Sequence, residues 1–119
     1  MNLPQDAMLL RVFIGEDDRH QHRPLYEAIV LAARERGLAG ATVIRGPMGY
    51  GASSRLHTAK ILRLSEDLPL VIEIVDTEEK IKAFLPALET MMTASGLVTL
   101  EKVQVIRYGS TAGGGGAAP

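Results

Sequence analysis

The sequence predicts an α+β fold: an antiparallel sheet with two helices on one face. Three observations predict it, namely apolar runs of strand length, two stretches with apolar residues at helical spacing, and the order in which these occur. Met8 to Gly15 (MLLRVFIG) reads as the first strand, with Leu10, Val12 and Ile14 on one face and Leu9, Arg11 and Phe13 on the other. The polar run Glu16 to Arg23 reads as a loop. Pro24 suits a helix start, Leu25, Ala28, Ile29, Ala32 and Ala33 recur at helical spacing, and Gly37 stops the helix. Ala41 to Arg45 is the second strand and Leu70 to Val75 the third, with Leu70, Ile72 and Ile74 alternating against Val71, Glu73 and Val75. Asp76 offers a capping side chain and Glu79 follows three residues later, as in a capping box, so a second helix begins there. Its apolar stripe is Ile81, Phe84, Leu85, Leu88, Met91 and Met92. Pro86 removes one backbone hydrogen bond and predicts a kink, and Gly96 closes the helix. Leu100 to Tyr108 reads as the fourth strand, whereas Leu56 to Leu64 fits neither period.

Strand, helix, strand, strand, helix, strand is the ferredoxin-like βαββαβ order. It predicts a single domain over residues 1–109, followed by a disordered Gly/Ala-rich tail over residues 110–119. Because both sides of the first strand are largely apolar, the sheet face opposite the helices needs a cover, and the simplest cover for a small chain is further copies of itself in a closed symmetric oligomer. Glu73 falls on that face. An unpaired carboxylate there is costly, so Glu73 is expected to pair with a cation such as Arg11 or Lys102 and to serve structure rather than catalysis.

The composition excludes several classes. The chain has 119 residues with 46% hydrophobic content, enough for one core, and a net charge of −1 with 23% charged residues. That balance lacks the basic excess of a nucleic-acid binder. There is no cysteine, hence no disulfide framework or thiolate nucleophile. No apolar run approaches the roughly 20 residues that span a bilayer, and no secretory leader pattern opens the sequence, so a cytoplasmic protein without membrane insertion is expected.

The chemistry concentrates in Arg45-Gly46-Pro47-Met48-Gly49-Tyr50-Gly51-Ala52-Ser53-Ser54-Arg55-Leu56-His57. Three glycines within six residues permit positive φ and close backbone approach, while Arg45, Ser53, Ser54, Arg55 and His57 supply donors suited to an anion. The spacing matches neither G-x-G-x-x-G nor a loop ending in Gly-Lys-Ser/Thr, so no dinucleotide or NTPase fingerprint is present. Elsewhere the signals are weaker. His20 and His22 flank Gln21 without a third ligand, which specifies no metal site. Glu16, Asp17 and Asp18 form an acidic run able to hold a cation or accept from a ribose hydroxyl, though a solvated loop is the simpler reading. His57 with Ser53 and Ser54 has no orienting acid, so no catalytic residue is assigned.

The run Arg45 to His57, then Leu62-Arg63-Leu64-Ser65-Glu66-Asp67-Leu68-Pro69 and Val71-Ile72-Glu73-Ile74-Val75-Asp76, closely resembles the Domain of Unknown Function 190 family. Pro24 to Ile29 and Gly37 to Val43 match the family's first helix and second strand. The resemblance implies a PII-like protein, that is, a ferredoxin-like homotrimer resembling the nitrogen regulatory proteins, with a mobile loop between the second and third strands. It implies signalling rather than enzymatic work, with an adenine nucleotide (AMP, ADP or ATP) as effector and no fixed cofactor. The family's genes often lie beside fluoride-exporter genes, which implies a membrane transporter or channel as partner. The Gly-Lys-containing phosphate loop of classical PII proteins is replaced by Ala94-Ser95-Gly96-Leu97-Val98-Thr99. The classical nucleotide mode thus does not carry over residue by residue, and the ligand residues expected from their donor chemistry are Arg45, Gly46, Gly49, Gly51, Ser53, Ser54 and His57, with Arg107 from an adjacent chain. A metal-responsive trimer similar to the divalent-cation-tolerance proteins, and a small enzyme acting on a phosphorylated substrate, are the alternative readings.

Overall fold

The computed structural model describes residues 6–51, 57–58, 67–93 and 96–109, with 57–58 as backbone alone. Four strands form one antiparallel sheet: β1 (Asp6–Gly15), β4 (Thr42–Arg45), β7 (Pro69–Asp76) and β8 (Leu97–Gln104), in spatial order β4-β7-β1-β8. Helices α1 (Leu25–Glu35) and α2 (Glu78–Met91) follow the first and third of these strands. The result is the ferredoxin-like arrangement expected from the element order. Two short ribbons interrupt it, β2 (Arg19–His20) with β3 (Arg23–Pro24), and β5 (Met48–Gly49) with β6 (His57–Thr58).

Alternation along the two central strands builds the core. Leu10, Val12 and Ile14 of β1 and Leu70, Ile72 and Ile74 of β7 face Leu25, Ala28, Ile29 and Ala33 of α1 and Ile81, Phe84, Leu88 and Met91 of α2. Each such large side chain removed from water contributes about 1.5–3 kcal/mol. The register pairs Gly15 with Pro69 and Met8 with Asp76, and on the other side Phe13 with Leu97 and Asp6 with Gln104. The sheet therefore has a Gly15 end, where β4 terminates at Arg45, and an Asp6 end, where α2 begins.

Several boundaries differ from those expected. β1 starts at Asp6, two residues before Met8. β8 runs Leu97–Gln104 rather than Leu100 to Tyr108, because its partner β1 ends at Asp6, opposite Gln104. α2 ends at Met91, so Gly96 does not close it. Gly96 instead turns the chain into β8 at φ +118, where a Cβ would lie 2.3 Å from Met92 Cε. The cap of α2 is Thr77, whose side chain accepts from Lys80 N at 3.1 Å; Asp76, expected to cap, is the last residue of β7. Pro86 sits inside a continuous α2 on its exposed side, as does Lys82, whose carbonyl loses its helical donor there. The supposed loop Glu16 to Arg23 contains the β2–β3 ribbon, turned by Gln21 at φ 50 and His22 at φ 66. Within Leu56 to Leu64, His57–Thr58 forms β6; the predicted tail lies outside the described residues.

The second face of the sheet is apolar around a charged centre. Ile44 (46% exposed) and Leu97 (57%) lie near its rim, with Leu9, Phe13, Val71 and Val75 between them. Across its middle, Arg11 donates from Nε to Glu73 at 2.9 Å and from Nη1 to Glu101 at 3.2 Å. The hydrogen bond that Arg11 donates to Glu73, reinforced by both carboxylates, raises the Arg11 pKa above its ordinary value, against a smaller opposing effect of burial. Glu73 thus takes one of the two partners anticipated for it.

Candidate functional site

Arg45 ends β4 and starts the Gly-rich segment, and the fold fixes that junction from two sides. Gly46 N donates to Pro69 O at 2.8 Å, locking the chain to the start of β7. Met48 then pairs with Thr58 and Gly49 with His57, so the β5–β6 ribbon begins three residues after Arg45. The glycines act differently from the expectation of positive φ. Among the described glycines, positive φ occurs at Gly37, Gly96 and Gly109, and not at Gly46, Gly49 or Gly51. Gly46 and Gly49 instead let the backbone close onto Pro69, whose ring carbon would lie 3.2 Å from a Cβ at either position. Gly51 faces open space.

The ribbon exposes apolar side chains, with Met48 59% and Tyr50 74% accessible. Ser53 and Ser54 lie outside the described residues, and of His57 only the backbone pairing is described. Arg107 belongs elsewhere: it lies three residues beyond Gln104, which pairs with Asp6 at the opposite end of the sheet from Arg45. A ten-residue strand separates the two ends, roughly 30 Å at the usual rise. Within one chain these arginines do not converge, so a site using both draws them from different chains. A cavity of about 360 Å³ also lies at the Asp6 end, lined by Asp6, Ala7, Glu78, Lys102, Val103 and Gln104, and includes none of the expected ligand residues. Glu78 there is held below the usual carboxylate range, first by the hydrogen bond from Lys82 and then by the charges of Lys82 and Lys102.

Arg45 is not alone. Its Nη2 contacts Glu16 Oε2, an ion pair in which the Glu16 side chain is 12% exposed and that of Arg45 54%. Glu16 follows β1 directly, and its own N–H donates to Leu68 O at 2.8 Å. The surrounding acidic turn is not a solvated loop. Asp18 Oδ2 accepts from Gly15 N at 3.0 Å and Asp67 Oδ1 from Asp17 N at 3.1 Å. Leu25 N donates to Asp18 O at 2.7 Å, tying the turn to the start of α1. Glu16 Oε1 is buried and accepts from no described residue. Glu16 is the residue the sequence pattern placed among solvated charges; its signal was the abrupt step from an apolar strand to an acidic run. Among the described residues no group of three or more His, Asp or Glu side chains could hold a metal ion, and no helix is long and apolar enough to cross a membrane.

This architecture is shared with solved PII-like proteins. The structure superposes with a TM-score of 0.63 on CPII, a nitrogen regulatory PII-like protein from Thiomonas intermedia K12 bound to ADP, AMP and bicarbonate, at 17% identity over 88% of this chain and 99% of that one. It matches a putative PII-like signaling protein from Thermus thermophilus with a TM-score of 0.64, at 18% identity over 88% and 93% of the two chains. At these identities the likeness establishes the fold. The chain itself belongs to the DUF190 family, described as Uncharacterized ACR, whose model matches residues 7–105. A UPF0166 protein of Aquifex aeolicus is 46% identical over 98 residues, covering 82% of this chain and 91% of the relative. A second, from Methanocaldococcus jannaschii, is 34% identical over 101 residues, covering 85% and 93%.

Proposed function

We propose that this chain is a PII-like regulatory protein that assembles as a homotrimer, binds an adenine nucleotide near the root of the β5–β6 ribbon, and signals through that ribbon. The observation that carries the reading is Arg45, half-exposed at the root of a Gly-rich ribbon, on a fold shared with a PII-like protein bound to ADP and AMP. A guanidinium offers a charged fork to phosphate oxygens, and Ser53, Ser54 and His57 add donor side chains to the same stretch of sequence. Gly51, with open space beside its Cα, leaves the backbone of that segment uncovered. Arg107 reaches the site from the next subunit, since it stands at the far end of its own sheet. The apolar face around Arg11 and Glu73 is the surface trimer assembly would cover.

Signalling follows as a population shift, in which nucleotide contacts favour one ribbon conformation and a partner reads it. Met48 and Tyr50, exposed on the ribbon, are the contact residues for that partner, a transporter or channel approached from the cytoplasm.

Native mass spectrometry of the protein titrated with AMP, ADP and ATP tests the reading, because one spectrum weighs the oligomer and the retained ligand together. Three chains carrying nucleotide are expected, with Arg45→Ala weakening calorimetric affinity by about tenfold or more, the usual loss for a charged hydrogen bond. A stable monomer that retains no nucleotide at millimolar concentration overturns it.

A further inference from the structure

We infer that Glu16 is the positioning residue for Arg45: a carboxylate largely shielded from water, on an anchored backbone, that orients the guanidinium so that its remaining N–H groups face an incoming phosphate. The inference rests on the proposed anion-binding role of Arg45 and adds the residue that makes that role possible. The geometry has a rigid half and a mobile half. Glu16 is anchored through its backbone to Leu68, and the turn it starts is fastened by Asp18 on Gly15 and by Asp67 on Asp17. Arg45 is a long side chain, 54% exposed, whose one contact among the described residues is Glu16. The carboxylate therefore sits behind and the cation in front.

This arrangement solves the main cost of an arginine receptor, which is the rotamer freedom lost when a long side chain is held still. Among the described residues Glu16 takes the hydrogen bond from Nη2, and Nε and Nη1 are the groups assigned to a phosphate oxygen. The other oxygen of Glu16, Oε1, is buried and has no partner among the described residues. A purely structural ion pair would be expected to satisfy both oxygens, as buried carboxylates generally do. Glu16 is thus bound to its arginine more than to its surroundings, and its effect on ligand passes through Arg45.

Two measurements test this. Without ligand, the Nε–Hε resonance of Arg45 in the wild-type protein is expected to be dispersed with a rigid heteronuclear NOE, and in Glu16→Ala to collapse to the averaged position of a free arginine. With ligand, Glu16→Ala is expected to weaken ADP by about fivefold to tenfold while leaving adenosine unchanged, and to add nothing further in the Arg45→Ala background, the signature of two residues acting as a unit. Glu16→Asp, or Glu16→Gln, which keeps an acceptor for Nη2, restores part of the rigidity if positioning is the role. An Arg45 resonance equally rigid in Glu16→Ala overturns the inference, as do additive losses in the double variant. If the wild-type protein binds no nucleotide, the proposed function fails, while the Arg45 resonance still decides whether Glu16 holds it.

Discussion

Two carboxylates, Asp76 fully buried and Glu16 largely so, stand at opposite ends of one sheet, and they are used in different ways. Asp76, fully buried at the Asp6 end, accepts from Ala39 N at 2.8 Å and Thr77 N at 2.6 Å, with Lys80 Nζ at 3.6 Å. It binds the α1–β4 connection to the start of α2. Lys80 Nζ donates to Gly37 O at 2.6 Å and Tyr108 Oη to Ala39 O at 2.8 Å, adding the chain end to the same knot. Glu16, at the other end, has one oxygen on a half-exposed arginine and one without a partner among the described residues. Fully satisfied buried polar groups specify and rigidify structure, whereas a partly satisfied one costs stability and persists where it serves something else. The Asp6 end is a staple. The Gly15 end, with the ribbon rooted beside Glu16, is where the molecule has kept an unfinished polar arrangement.

The largest effect expected from this contrast is at Asp76. Asp76→Ala removes the acceptor of two part-buried N–H groups and releases Lys80, which should cost about 2–3 kcal/mol. Chemical denaturation read at matched protein concentration checks it. A loss under about 1 kcal/mol would mean that water replaces the carboxylate freely, and the two ends would no longer differ in kind.

A smaller effect sharpens the comparison by its asymmetry. Removing Arg45 leaves the Glu16 carboxylate without its cation in a site where it is 12% exposed, whereas removing Glu16 leaves an arginine already 54% exposed to water. Arg45→Ala should therefore destabilise by about 1–2 kcal/mol and Glu16→Ala by less than about 1 kcal/mol, the partial exposure of the pair keeping both below the values for fully buried pairs. Equal losses in the two variants would show that the pair is an ordinary surface bridge.

How much of this is legible in the sequence depends on whether the deciding interaction is local. Alternation in Leu70 to Val75 and in Leu10 to Ile14, and the stripe from Ile81 to Met91, are local patterns and specify the sheet and both helices. β8 is misplaced by pattern alone because most of its residues are exposed on both faces, so LVTLEKVQ carries no alternation to read. Asp76 and Thr77 are both competent caps by residue type. The choice between them is made by burial of Asp76 against Ala39, which lies 37 residues away. Glu16 is harder still. Its run Glu16-Asp17-Asp18 has the composition of a solvated turn. Only the register, which sets the end of β1 against the start of β7 and places Arg45 one strand further on, brings the carboxylate to its cation. The Gly-rich segment has the composition of a ligand loop, yet Gly46 and Gly49 are small because Pro69 crowds them, a contact no local pattern encodes.

The smallest expected effect lies midway between the two ends, at Glu73. Arg11 bridges Glu73 and Glu101 on the open sheet face, with side chains 38%, 33% and 61% exposed, so solvent screens the pair in an isolated chain. Glu73→Gln keeps an acceptor for Arg11 Nε and removes only the charge. In a monomer this should cost about 0.5 kcal/mol or less. In a trimer that covers this face the same pair is desolvated, and the loss should rise to about 1–2 kcal/mol per chain and appear as a weaker assembly or a lower Tm. Nucleotide affinity should stay within about twofold of wild type, since Glu73 pairs with Thr42 in register, three residues along β4 from Arg45, and its carboxylate engages Arg11. Sedimentation and calorimetry on the one variant separate these outcomes. Loss of nucleotide binding from an intact trimer would place Glu73 in the ligand site and remove the distinction between a structural middle and a functional end.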